Sequence, residues 1–172
     1  MKNLTFTFFV LFAAVISPMA FAQSVPSTAE INSKIKVAVK GYANSISCGH
    51  TKIDSKKIAP LIPWTSEPDK LKAKYAVIWD GDVGCLGGSG TSGAQLAIVT
   101  VGTGSHFMVD PTRSTPNIHF NTDTRFIEKL VRNTKNTLVL EGLFLKNEDL
   151  NNFPSLKKRL TLKLDQKGNW NR

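Results

Sequence analysis

Residues 72–80, Lys-Ala-Lys-Tyr-Ala-Val-Ile-Trp-Asp, and residues 94–101, Ala-Gln-Leu-Ala-Ile-Val-Thr-Val, decide the fold. In the first run Tyr75, Val77 and Trp79 fall on one side of an extended chain, and Ala76 and Ile78 on the other. The second run is apolar on both sides, which predicts a central strand. Between them, the stretch from Asp80 to Gly93 holds six glycines in fourteen residues. Strand, glycine-rich turn and strand predict an antiparallel hairpin with one wide loop. A second turn, Gly102-Thr103-Gly104-Ser105, leads into a short third strand from His106 to Asp110.

Working back from the hairpin, residues 50–72 contain Pro60, Pro63 and Pro68 and show no steady period. They are expected to form a long irregular connector, with a helical turn near Ser55-Lys56-Lys57-Ile58. Before it, Ser27-Thr28-Ala29-Glu30 has the form of a helix-capping box. Ile31, Ile35, Ala38, Val39, Tyr42 and Ile46 then recur at helical spacing, opposite Lys36, Lys40 and Asn44. Lys34 to Lys40 also alternates like a strand, but the cap and the length of the periodic face favour a helix. Gly49 is the expected helix stop.

Working forward, Asn117 to Phe120 is a short extended piece. Phe126–Arg132 fits a strand or a helix; the turn Asn133-Thr134-Lys135-Asn136, which joins it directly to the β-forming run Thr137–Leu145, favours a strand paired with that run, and Asn147–Ser155 is a polar loop. Lys158 to Asp165 alternates, with Leu160, Leu162 and Leu164 facing inward. The expected fold is α+β: an N-terminal helix packed on one curved antiparallel sheet of about five to six strands, with one disulfide.

The N-terminus has the form of an export signal. Lys2 precedes an apolar run from Phe6 to Ile16. Pro18 breaks the run, and Ala20-Phe21-Ala22 offers a small–any–small cleavage site. Residues 1–22 are therefore expected to be removed, leaving residues 23–172 as a single exported domain in the periplasm or the medium. The apolar run is short for a membrane span, and no second run approaches that length. Cys48 and Cys85 are the only cysteines. In an oxidising compartment such a pair is expected to form a disulfide, closing 36 intervening residues.

The whole chain carries a net charge of +9. Removing residues 1–22 removes Lys2 and no acid, so the mature chain carries +8. The charge is unevenly spread: from Tyr75 to Thr112 there is no Lys or Arg, whereas residues 125–172 hold eleven basic and five acidic residues. The densest cluster is Lys157-Lys158-Arg159. It marks either an edge strand guarded by lysines or a face for lipopolysaccharide or another anionic envelope component. No nucleic-acid partner is expected, since no aromatics interleave with the basic cluster.

No catalytic set emerges. Asp80 and Asp82 have the opening spacing of a calcium loop, but Cys85 stands where its glycine belongs and Thr91 where its glutamate belongs. Ser89 and Ser92 sit among glycines without a G-x-S-x-G elbow. A hydrolase pairing one of them with His106 and Asp110 is the enzymatic alternative. His50, His106 and His119 lack metal-ligand spacing, and no cofactor is expected. The leading expectation is a small exported binding protein that recognises or inhibits another macromolecule, of inhibitor or immunity type. Its candidate contact residues are Asp82, Gly87, Gly88, Ser89, Thr91 and Ser92 on the glycine-rich loop. Trp64 is a candidate aromatic anchor, as is Trp170, and Lys157, Lys158 and Arg159 form the basic alternative.

Overall fold

The computed structural model describes residues 25–87, 91–150 and 152–172. The expected export signal over residues 1–22 lies outside the described residues, as do Gly88 and Ser89 of the glycine-rich loop. The chain begins with one helix, α1 (Thr28–Ile46). Its capping box is formed: the Ser27 hydroxyl accepts from the Glu30 amide at 3.3 Å, and the Glu30 carboxylate accepts from the Ser27 amide at 2.7 Å. Ile31, Ile35, Val39 and Ala43 make the buried stripe, each four residues on from the last.

Four strands follow: β1 (Ser47–Ile62), β2 (Lys74–Val83), β3 (Gly93–Val101) and β4 (Phe107–Asp110). They form an antiparallel sheet in the order β1-β2-β3-β4. A second antiparallel sheet holds β5 (Phe126–Thr134), β6 (Thr137–Phe144), β7 (Leu156–Leu164) and β8 (Trp170–Asn171), again in chain order. The single curved sheet expected from the sequence is thus two sheets of four strands.

The three layers are α1, the first sheet and the second sheet. On one face of the first sheet, Tyr75, Val77, Trp79, Ala97, Val99 and Val101 pack against the helix stripe. On the other, Ala76, Ile78, Leu96 and Ile98 meet Leu138, Leu140, Leu160 and Leu162 of the second sheet. This sandwiching explains why β2 and β3 are apolar on both sides: neither face reaches water.

Two local expectations are corrected. The helix runs directly into β1 at Ser47, without a glycine stop. The first part of the connector belongs to β1, a sixteen-residue strand whose register with β2 shifts at three places, and its end, Glu67–Lys72, is a 3-10 helix. Within one shift the Asp54 carboxylate accepts from the Lys56 amide at 2.9 Å. Bulges interrupt alternation, and an edge strand tolerates Pro60, so the sequence conceals the strand.

The crossover between sheets hugs β3. Ser114 Oγ accepts from the Ile98 amide at 2.9 Å, and the Thr115 amide donates to the Leu96 carbonyl at 2.9 Å. Tyr42 Oη donates to the Thr115 carbonyl at 2.7 Å, fastening the helix to the same segment.

Candidate functional site

The end of the sandwich that carries the β2–β3 loop is built around the disulfide between Cys48 and Cys85. Cys48 stands opposite Asp82 in the β1–β2 ladder, and both cysteines are exposed. The chain turns sharply there. Gly84 has φ 81° and Gly87 φ 70°, values glycine adopts without penalty, and Cys85 between them has φ 56°. Local hydrogen bonds hold the turn: the Gly84 amide donates to the Ile46 carbonyl at 3.1 Å and the Cys85 amide to the Asp82 carbonyl at 3.3 Å. Asp82 Oδ2 accepts from the Gly87 amide at 3.1 Å. Asp82 therefore organises the loop from within, and its Oδ1 is buried. Leu86, by contrast, stands 80% exposed at the turn.

A second loop lies beside the first. Arg125, just before β5, donates to the Ser92 carbonyl at 2.6 Å and to Asn152 Oδ1 at 3.2 Å. One guanidinium thereby fastens the glycine-rich loop to the β6–β7 loop. Within the latter, the Asp149 carboxylate accepts from the Lys146 amide at 2.8 Å and from the Ser155 amide at 2.7 Å. Those backbone donors, Lys146 first, hold the Asp149 carboxyl below the usual carboxylate range. On the loop so closed, Leu150 and Phe153 are each 72% exposed. The end of the molecule thus presents three large apolar side chains on two fastened loops.

Of the loop residues expected from sequence, Gly87 is exposed, Thr91 and Ser92 are half-buried, and the Ser92 carbonyl is engaged by Arg125. Trp64 is 4% exposed and packs in the helix-side core, its amide donating to Tyr75 Oη at 3.0 Å. Trp170 is likewise a core side chain. The basic cluster is partly neutralised. Lys157 bonds Glu128 at 2.6 Å and Glu141 at 3.0 Å, and these partners, Glu128 first, raise its ammonium above the ordinary lysine range. Lys158 lies over the Phe144 ring and Arg159 is exposed.

Ser92 and His106 do not meet. They flank β3 at opposite ends, on the order of 30 Å apart at about 3.3 Å per strand residue. Asp80 is occupied by Lys57 at 3.0 Å. Among the described residues there is no group of three His, Cys, Asp or Glu side chains placed to hold a metal ion, and no helix is long and apolar enough to cross a membrane.

Sequence reasoning missed Arg125, Leu150 and Phe153. The available signal was two large apolar residues inside an otherwise polar nine-residue loop, Asn147 to Ser155. No protein-family model, curated protein or solved structure matches the chain.

Proposed function

We propose that this is an exported binding protein that docks on another protein through the end carrying Leu86, Leu150 and Phe153, as an inhibitor or immunity factor would. The observation that carries the reading is Arg125, which ties the two loops together while their apolar side chains point outward. Apolar anchors on fastened loops lose little conformational freedom when a partner covers them. The occupant is a protein rather than a polyanion, because the face is marked by large exposed apolar side chains, Leu86, Leu150 and Phe153. Export is supported by the disulfide and by the signal-like N-terminus. The basic cluster is the weaker candidate, since Lys157 is already committed to two glutamates.

The test uses the immobilised mature protein against an extract of exported proteins at about 0.15 M salt, near physiological strength. The parent protein retains a partner that a Leu86→Asp/Phe153→Asp variant releases, while a Lys158→Glu/Arg159→Glu variant keeps it. Equal retention by parent and Leu86→Asp/Phe153→Asp, or no retained protein at all, overturns the reading.

A further inference from the structure

At the opposite end of the sandwich the two sheets part around a cavity of about 430 Å³, within the range of about 300–1,000 Å³ common for small-molecule sites. Leu61, Ile98, Leu164 and Trp170 line it, and Leu61, Ile98 and Trp170 belong to the core between the sheets.

One lining residue breaks the pattern of the strand that carries it. Strand alternation places Lys74 on the same face of β2 as Ala76 and Ile78, the face turned toward the second sheet. A lysine thus stands where the register supplies core side chains. Lys74 is half-buried, and its ammonium makes no hydrogen bond or ion pair among the described residues. Two further cations line the same cavity: Arg113, after β4, and Lys135, in the β5–β6 turn. Burial, followed by the Arg113 charge, holds the Lys74 ammonium below the ordinary lysine range; Lys135 adds to this and Asp110 opposes it.

The nearby carboxylates, Asp110 and Asp165, offset only part of this charge, and neither forms an ion pair with Lys74. Asp110 sits 3.6 Å from Arg113 Nε. Asp165 on the rim is occupied by its own turn: it accepts from the Lys167 and Asn169 amides, each at 2.8 Å, and from the Asn171 side chain at 3.0 Å. Lys167 adds a fourth cation to the rim.

We propose that this cavity binds a single-chain amphiphile with an anionic head, its tail on the apolar lining and its head between Lys74, Arg113 and Lys135. A neutral apolar guest would leave the half-buried Lys74 ammonium without a counter-charge. A small inorganic anion would leave Leu61, Ile98, Leu164 and Trp170 uncovered. An anionic head with an apolar tail satisfies both halves of the site, through charge-assisted hydrogen bonds above and apolar burial below.

The test is titration calorimetry of the mature protein at neutral pH with decanoate, with decan-1-ol and with inorganic phosphate. Decanoate is expected to bind saturably at one site, with decan-1-ol about tenfold or more weaker because it lacks the charge. Phosphate is expected to give no measurable heat of binding. Lys74→Met, which keeps an unbranched side chain one atom shorter and removes the charge, is expected to weaken decanoate about tenfold or more and leave decan-1-ol unchanged. If that variant does not fold, the exposed Lys135→Ala is used and is expected to weaken decanoate severalfold. No decanoate binding overturns the proposal. So do equal affinities for decanoate and decan-1-ol, phosphate binding as tightly as decanoate, or an affinity untouched by the folded variant. Leu86→Asp/Phe153→Asp lies at the other end of the sandwich and is expected to retain decanoate, which separates this site from the docking edge.

Discussion

Ser114 illustrates how one side chain can replace a strand. It is fully buried, accepts from the Ile98 amide and donates to the Asp110 carbonyl at 2.6 Å. Beyond Asp110 the chain no longer pairs regularly with β3, and this hydroxyl satisfies the amide that the ladder leaves open. Ser114→Ala keeps the fold but strands a buried N–H, so we expect a loss of about 1–3 kcal/mol in urea unfolding. A change below the error of extrapolation would show that water reaches Ile98. Nothing in the sequence around Ser114 announced this role, because a hydroxyl's partner sixteen residues away is a property of the folded chain. Cys48 and Cys85 were legible for the opposite reason: two cysteines leave only one pairing.

At the scale of elements, the β6–β7 loop depends on a single carboxylate. Asp149 has its folded-state carboxyl lowered by the Lys146 and Ser155 amides. A lowered folded value contributes stability above the unfolded carboxyl value and loses it as pH falls through the folded one. We therefore expect Asp149→Asn to loosen the loop at neutral pH, seen as faster hydrogen exchange at the Lys146 and Ser155 amides. The gap between parent and variant should close in acid, below the ordinary aspartate range. Equal protection at neutral pH would refute the assignment. The helix and β7 were readable from their own periods, from the Ser27–Glu30 cap to the Leu160 and Leu162 alternation, β2, β3 and β6 from runs of β-forming residues between turns, and β5 from the turn that joins it to β6. β1 was not, because three register shifts and an edge position erase the two-residue repeat.

For the whole molecule, the disulfide is the one covalent link across the docking end. It joins the start of β1 to the turn after β2, closing 36 intervening residues. Loop-closure entropy alone gives about 3–4 kcal/mol, which for a domain of this size corresponds to roughly 10 °C in Tm. We expect Cys48→Ala/Cys85→Ala to fall by about that much in calorimetry while keeping far-UV circular dichroism, since both sheets are built by other contacts. An unchanged Tm would refute the loop-closure account, showing that the unfolded chain gains no freedom when the bond is removed. What the chain by itself determined was local: a capped helix, a run of antiparallel hairpins and a cysteine pair. Those follow from side-chain period and backbone preference within a few residues. Whether the hairpins made one sheet or two was decided only in three dimensions, because doubly apolar strands such as β2 and β3 record burial without naming what covers each face. The same holds for the two surfaces that matter most. Arg125 joins loops more than twenty residues away on either side, and Lys74 of β2 shares a cavity with Arg113 and Lys135 from two separate connections. Such encounters are set by layer packing, and no local pattern encodes them.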